Sequence, residues 1–568
     1  MKTNIIFKGA MALTVVAGLA SCSSDYLERE PITSVDETTV MADVSMARRT
    51  LYGICRAMYY GYDIGQNVQF MNGEGWINTM YGEVYGSDAY YTLWSDFGPE
   101  FMRGDYLRMN NYWMPQMPWG YAYNLIQQAN KLLNRIDAAE GTQAERDFIK
   151  AQAKTFRAHA YVKLIQLYGP RWEDAKPADD LVCVLRLDGG TEDLPLSTMQ
   201  AVLDQIKSDL DDAIALYESC GQQRIHIYEP DIQVAKGIYA RIAMVTHDWA
   251  TAQKMAHEAR EGHEIMSNEQ YLSGFNEANQ EWIWANDNDP SDPYIGLYNW
   301  GALLACNGPY VAAWGYGAGA MNYDLWKQMD SKDIRRKLYW MPGVVSFRRP
   351  LSNNSYWNKD LVESSNMNMN TRNQQGGETL MATYLRTYAN QMTPGGDASR
   401  FTGLAYRNKS VNPEDQLIGT VPFGAQFKFW GSGPYGNLQV PFMRGAEMAF
   451  IEAEAAYRLG DEATAISCIE EINKKRVEGY TCTKSGDDLL AEIQLSKRLE
   501  MWGEGFCWTD LKRWNLPMVR RAWKEGDPES NNIPEGFATT VTPDEHNGWR
   551  IILPNSEVNY NSLVQLYK

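Results

Sequence analysis

Several short stretches of this 568-residue chain place chemically capable side chains close together. HEAREGH, His257 to His263, comes near the His-Glu-x-x-His spacing that puts two zinc ligands on one helical face, but Glu261 stands where the second histidine is needed. GYGAGA, Gly315 to Ala320, fits a loose Gly-x-Gly-x-x-Gly/Ala pattern, yet no strand-helix-strand unit surrounds it and no acid follows at the distance a ribose would require. DNDPSD, Asp287 to Asp292, offers calcium-type oxygens without the loop glycine or closing glutamate of an EF-hand. No Gly-x-Ser-x-Gly or Walker-type loop occurs in the chain. Glu83, Asp88, Asp96 and Asp289 stand near aromatic residues and are the carboxylates a glycosidase would have to draw on. The expectation is therefore no catalytic residues, no cofactor and no resident metal.

Two aromatic-rich stretches point to binding instead. Between Glu74 and Phe101, Trp76, Tyr81, Tyr85, Tyr90, Tyr91 and Trp94 are scattered among Gly, Asn, Ser and Asp with no sustained helical stripe. A second group comprises Trp282, Trp284, Tyr294, Tyr298, Trp300, Trp314 and Tyr316. A sugar offers a C–H face to a ring and hydroxyls around its rim, so exposed aromatics beside short polar side chains make a platform for it. The candidate ligand residues are Trp76, Tyr90, Tyr91, Trp94, Trp300, Trp314 and Tyr316. For any single ring core packing is the commoner role, and the expectation is that a few members of each group are exposed.

One cysteine has a different chemistry. Lys2 and Lys8 precede an apolar run from Gly9 to Ala20, too short to span a bilayer, and the order of charged, apolar and small residues is that of an export signal. Leu19-Ala20-Ser21-Cys22 resembles a bacterial lipobox, in which cleavage before the cysteine exposes a thiol and an amino group for acylation. Cys22 is thus the expected lipidation site, with Asp25 and Glu28 soon after it as acids suited to a surface-sorting signal. The other seven cysteines are odd in number and lack a Cys-x-x-Cys pair, so they read as buried small apolar residues. The net charge of -18, which loss of Lys2 and Lys8 makes more negative, argues against nucleic acid and anionic lipid as partners.

The elements that must carry these residues are mostly helical. Met199, Val202, Leu203, Ile206, Leu210, Ala213, Ile214 and Tyr217 form one apolar face, with Ser197 and Gln200 as a capping box and Gly221 as the stop. Ile149, Ala153, Phe156, Ala160, Leu164 and Leu167 form another, ended by Gly169-Pro170. HDWATAQKMAHEAR from His247 and GDEATAISCIEEIN from Gly460 share Asp-x-Ala-Thr-Ala after a tight turn, each behind an alanine-rich helix. A helix pair repeated in this way predicts a tetratricopeptide-like array. From about Tyr271 to Val440 the helical period fades, and eight tryptophans accompany Gly, Asn and Pro in a long loop-rich insertion.

RLEMWGEGFCWTDLKRWN, Arg498 to Asn515, resembles the C-terminal hallmark of the SusD/RagB family, with Arg-x-Glu, Gly-Glu-Gly-Phe, an Asp-Leu pair and Arg-Trp. The lipobox, FRAHAYVKLIQLYGP, LPLSTMQAVLDQIKSDLDDAI, the HDWATA pair and MRGAEMAFIEAEAAYRLGD follow in the family's order, while the closing segment departs from it at Tyr560 and Leu566. The resemblance implies a mainly α fold, a tetratricopeptide-like superhelix with the loop-rich insertion, and a lipid-anchored protein on the outer face of the outer membrane. It implies capture of glycans, or in some relatives peptides, for a SusC-like TonB-dependent transporter without catalysis; a surface glycoside hydrolase drawing on Glu83, Asp88, Asp96 and Asp289 is the alternative from the residues alone. Within the hallmark, Glu500, Glu504, Asp510, Lys512 and Arg513 alternate with Trp502, Phe506, Leu511 and Trp514, which predicts a packed element with paired charges in place of an acid–base cluster.

The expected organisation is a signal peptide at 1–21, an anchored segment at 22–40, a first helical scaffold at 41–270 carrying ligand loops at 60–120, the insertion at 271–440, a second scaffold at 441–520 and an irregular segment at 521–568.

Overall fold

The computed structural model describes residues 42–59, 73–91, 102–104, 107–111, 113–286, 319–339, 438–522, 537–545 and 549–564. It also describes three strands at 359–363, 402–408 and 417–422 and single positions at 424, 426, 428, 429, 524, 531 and 533. Cys22 and the proposed anchored segment lie outside these residues.

The fold is a tetratricopeptide-like stack of antiparallel helices. Trp113–Arg135 packs on Gln143–Tyr168, which packs on Met199–Cys220, which packs on Ile232–Val245 and then Trp249–Ala259. The stack continues directly from Trp249–Ala259 to Gly445–Arg458, then Glu462–Arg476 and Gly486–Glu500. The chain between residues 260 and 444 therefore leaves the array and returns without breaking its order. At this joint Ala252, Ala256 and Ala259 share a buried cluster with Met448, Ile451 and Ala455, while Ala446, Ala449, Ala453 and Ala456 are buried in a second cluster with Ala465, Cys468, Ile469 and Ile472 of the next helix.

Local chemistry explains the helix ends. In both repeated turns an aspartate caps the second helix: Asp248 accepts from Thr251 N at 3.3 Å and Asp461 from Thr464 N at 3.0 Å. The residue before each aspartate has positive φ, 56° at His247 and 83° at Gly460, so the histidine holds a conformation its counterpart adopts freely. The cap of Met199–Cys220 is Thr198, one residue beyond the expected Ser197, whose hydroxyl instead accepts from Leu185 N; Gly221 ends the helix at φ 64° as expected. All cysteines among the described residues are free, four of them buried.

The insertion contains more regular structure than its composition suggests. Strands β6 (Lys359–Glu363), β7 (Thr402–Asn408) and β8 (Leu417–Pro422) form an antiparallel sheet in that order. At its base, β4 (Trp282–Ala285) pairs antiparallel with β9 (Pro441–Arg444), which closes the insertion where it joins the stack.

Beside that closure lies a fully buried charge hub. Arg444 reaches Glu281 at 2.6 Å, Glu500 at 3.2 Å and Glu504 at 2.8 Å, while Glu500 also accepts from Arg476 at 3.0 Å and Arg335 at 3.2 Å. Asp333 pairs with Arg335 at 2.7 Å, and Lys428 binds Glu504 at 2.6 Å and the carbonyls of Glu500 and Trp502. Four cations thus face four carboxylates, drawn from the insertion, its base and the second scaffold. Although burial opposes ionisation, the guanidiniums of Arg476, Arg444 and Arg335 hold the Glu500 carboxyl well below the usual range.

Removing one member of such a hub leaves the others uncompensated, so Glu500→Gln should lose about 3–5 kcal/mol of stability. A thermal melt within a degree of wild type would refute the hub's role. The carboxyls of Glu500 and Glu454, the latter lowered to about 2, titrate below their unfolded values, so their contribution is complete above roughly pH 4.5 and lost as pH falls towards about 2. Acid unfolding should accordingly begin in that window and be followed by circular dichroism.

Candidate functional site

The two aromatic stretches converge at one strand pair. Strand β1 (Ala89–Tyr91) runs antiparallel to β5 (Gly319–Met321), with Tyr90 opposite Ala320 and Tyr91 opposite Gly319. Tyr91, three residues before Trp94 in sequence, and Gly319, three residues after Tyr316, are therefore neighbours. Trp94, Trp300, Trp314 and Tyr316, like Tyr294 and Tyr298, lie outside the described residues, and Tyr90 and Tyr91 are placed by their backbone.

The remaining rings of the two groups are core. Trp76 is 7% exposed and packs with the central cluster, so burial removes it from the ligand face. Tyr81 donates to the Met114 carbonyl at 2.5 Å, Tyr85 meets Trp508 edge to face at 6.0 Å, and Trp284 donates its indole N–H to the Tyr228 carbonyl at 2.9 Å. Trp282 and Trp284 lie on β4, where the pairing with β9 buries both.

A dense set of hydrogen bonds fixes the turn that feeds β1. Arg498 grips the Asp88 carboxylate through Nε at 2.9 Å and through Nη2, and the Asp88 carbonyl accepts from Trp502 Nε1 at 2.9 Å and Asn322 N at 2.9 Å. Asn322 Nδ2 donates to the Ser87 carbonyl at 2.8 Å, and Val519 N to the Ser87 hydroxyl at 2.9 Å. The Arg-x-Glu of the hallmark is thus divided: Arg498 holds the first aromatic segment, and Glu500 holds the insertion that carries the second.

Upstream of that turn a π-helix, Asn78–Val84, lies against the Gly503–Gly505 loop of the hallmark. A Cβ on Gly82 would come within 2.0 Å of the Gly505 carbonyl oxygen, and one on Gly505, at φ 92°, within 2.5 Å of Asn78 Cβ. Only glycine permits this backbone approach.

The carboxyls considered for glycoside cleavage serve this frame. Glu83 and Asp88 are each 1% exposed. Glu83 accepts from Gly505 N at 3.3 Å, and burial, reinforced by the charge of Asp88, pushes its carboxyl up to about 8. Asp88 is committed to Arg498. Asp96, Asp289 and the Asp287–Asp292 stretch lie outside the described residues. The near-zinc motif is occupied otherwise: His257 pairs with Glu452 at 2.9 Å, and His263 sits between the Gln280 carbonyl and Gln233.

The hallmark charges other than Lys512 are paired as its alternating pattern implies. Asp510 meets Lys497 at 2.7 Å, Arg513 and Trp514 both bind Glu454, and Lys512 donates to the carbonyls of Gln166 and Gly169 at the end of the Gln143–Tyr168 helix. The Arg498–Asp88 clamp is not legible in the sequence, where Arg498 belongs to the hallmark and Asp88 to the first aromatic stretch. Their separation of 410 residues leaves no local signal that links them.

Because Glu83 keeps its proton to a higher pH when folded, the native state loses stability as pH rises from about 4.5 to about 8. Glu83→Gln mimics the neutral acid, so variant and wild type should melt alike at pH 5 and the variant should melt higher at pH 9. Parallel melting curves across that range would show that Glu83 ionises freely.

No protein of curated function matches the chain. A model described as the SusD family matches residues 280–562, and one described as starch-binding associating with outer membrane matches residues 104–246. Among solved structures, a SusD-like carbohydrate binding protein from Bacteroides vulgatus is 21% identical, with 92% of this chain and 97% of that one covered and a TM-score of 0.67. A SusD superfamily protein from Bacteroides thetaiotaomicron is 17% identical over 93% of this chain and all of its own, at a TM-score of 0.64, and one from Bacteroides fragilis is 17% identical with the same coverage, at 0.61. With family models on both sides of the repeat joint and a shared fold across nearly the whole chain, this protein belongs to the SusD/RagB family.

Proposed function

We propose that this chain is a lipid-anchored surface protein that captures oligosaccharides at the β1–β5 edge and passes them to a SusC-like TonB-dependent transporter of the outer membrane. The observation that carries the reading is the pairing of Tyr90 and Tyr91 with Ala320 and Gly319, which draws two aromatic-rich segments distant in sequence to one edge. Membership in a family that includes a model described as starch-binding and outer-membrane-associated supports the ligand class and the location. The carboxylates of Glu83 and Asp88 are buried in structural contacts, which supports binding without turnover.

In this reading residues 1–21 are removed, Cys22 carries the acyl chains and 22–40 tether the scaffold. No helix among the described residues is long and apolar enough to cross a membrane. Each buried methylene of an acyl chain adds roughly 0.8 kcal/mol of attachment, so two or more chains would hold the protein at the bilayer. Cys22→Ala should abolish palmitate labelling and release the protein from the membrane fraction; label retained in the variant would refute the anchor.

Ligand capture is tested with a panel of neutral polysaccharides in affinity electrophoresis and calorimetry. Trp94→Ala, Tyr91→Ala, Trp300→Ala and Trp314→Ala should each weaken binding by about 1–3 kcal/mol with little change in melting temperature. Large melting losses with unchanged affinity would return these rings to the core. Binding of peptides in place of glycans would establish the peptide alternative, and glycan hydrolysis by the pure protein would refute the binding-only reading.

A further inference from the structure

A cavity of about 100 Å³ opens between the C-terminal end of Gln143–Tyr168, the helices Ile232–Val245 and Gly445–Arg458, the π-helix and the hallmark. It lies on the helical scaffold and includes no residue of the β1–β5 edge. One wall is apolar, with Met244, Val245, Ile451 and the Phe506 ring. Most charges on its lining are already matched. Arg241 holds Glu447 at 2.6 Å, Lys163 holds Glu74 at 2.6 Å, and Lys497 and Arg513 share Asp510 at 2.7 and 3.1 Å. Glu504 is held by Arg444 and Lys428.

Lys512 is the exception. The residue is 5% exposed, and its ammonium donates to the carbonyl oxygens of Gln166 and Gly169, both at 2.8 Å. An ammonium has three donors, and among the described residues no carboxylate lies within ion-pair distance of it. The helix C-terminus supplies only about half a negative charge, which makes the burial tolerable without neutralising it. The charged neighbours that act on it are also cations. Arg550 donates to the Tyr168 carbonyl at 3.1 Å, and Arg171 is tied to Asp174 at 2.7 Å and to the exposed Asp544 at 3.3 Å. Burial, followed by repulsion from Arg550 and Arg171, pushes the Lys512 amine well below the usual lysine range. In a chain of net charge -18, this is an interior site of positive potential beside an open cavity.

We infer that this cavity binds a small organic monocarboxylate, with the carboxylate against the Lys512 ammonium and a short apolar tail along Met244, Val245, Ile451 and Phe506. A single buried ammonium beside a short apolar wall suits a small monocarboxylate such as acetate or butyrate. Glu447, Glu504 and Asp510 on the same lining disfavour a dianion such as phosphate. A monoanion supplies the one charge that Lys512 lacks.

The test is saturation-transfer NMR of butyrate on the full chain at constant ionic strength, with inorganic phosphate as competitor. Saturable butyrate binding that acetate displaces and phosphate displaces poorly is expected. Affinity should fall at least tenfold in Lys512→Met. It should also fall in wild type as pH rises, at lower pH than ordinary lysines discharge. Val245→Phe, which fills the cavity and leaves every charge in place, should block binding while the protein melts as wild type does. If Lys512→Met does not fold, the pH profile and Val245→Phe decide. No saturable butyrate signal, undiminished binding in Lys512→Met or Val245→Phe, or tighter binding of phosphate than of butyrate would each overturn the site.

Discussion

The contact between Arg444 and Glu500 is the constraint on which the rest of the molecule depends. Arg444 ends the strand that closes the insertion, and Glu500 ends the last long helix of the array, so their contact joins the return of the insertion to the scaffold. Two desolvated charges at 3.2 Å are a poor source of net stability by themselves. Here each is compensated several times over, and the alternating arrangement of Glu281, Arg444, Glu500, Arg476 and Arg335 admits few other packings without leaving a bare charge in the interior. Its contribution is to specify geometry: a long excursion can be inserted into a helical array and still have its two ends set in one register.

From that hub the consequences run outward along the hallmark. Two residues before Glu500, Arg498 clamps Asp88; two residues after it, the Trp502 indole donates to the carbonyl of the same aspartate. The Gly503 and Gly505 backbones then pass close to Phe429 and the π-helix, positions a side chain could not occupy. A segment of eight residues therefore contacts the insertion, the scaffold and the turn leading to β1. This is why its residues look catalytic in sequence, with acids, bases and aromatics at short spacing, and yet are nearly all consumed by one another or by their neighbours. Lys512 departs from that pattern because its partners are carbonyls, which satisfy donors without cancelling charge.

The helical array was the most legible part of the chain because its signals are local. Apolar residues recur every three or four positions, an aspartate caps each second helix of the repeat, and alanines mark where helices approach closely. The cap falls on Thr198 and not Ser197 because adjacent hydroxyls carry the same chemistry and the Ser197 hydroxyl is taken by the Leu185 N–H, 12 residues away. The insertion's closure was not legible. Trp282 and Arg444 face each other across 162 positions, and a tryptophan among Ile, Ala and Asn reads the same whether it lines a ligand platform or seals a strand pair. Of the candidate ligand rings Trp76 is absorbed by the core, as are Tyr81, Tyr85, Trp282 and Trp284 from the same two aromatic groups.

Separation in sequence also explains how the candidate edge is built. Nothing near Tyr90 predicts Ala320 as its neighbour, and the pairing is short, three residues on each strand. A two-stranded ribbon of that length is marginal alone. It persists because both strands are held from behind: Asn322, immediately after β5, donates to the carbonyls of Ser87 and Asp88, immediately before β1, and Met321 N donates to the Gly424 carbonyl. The ends behind the ribbon are therefore fixed to the scaffold, while the chains ahead of it lead into the segments that hold Trp94 and Trp314. The clamp makes no demand on the rings beyond it, because Asp88, Asn322 and Arg498 use backbone groups and one carboxylate.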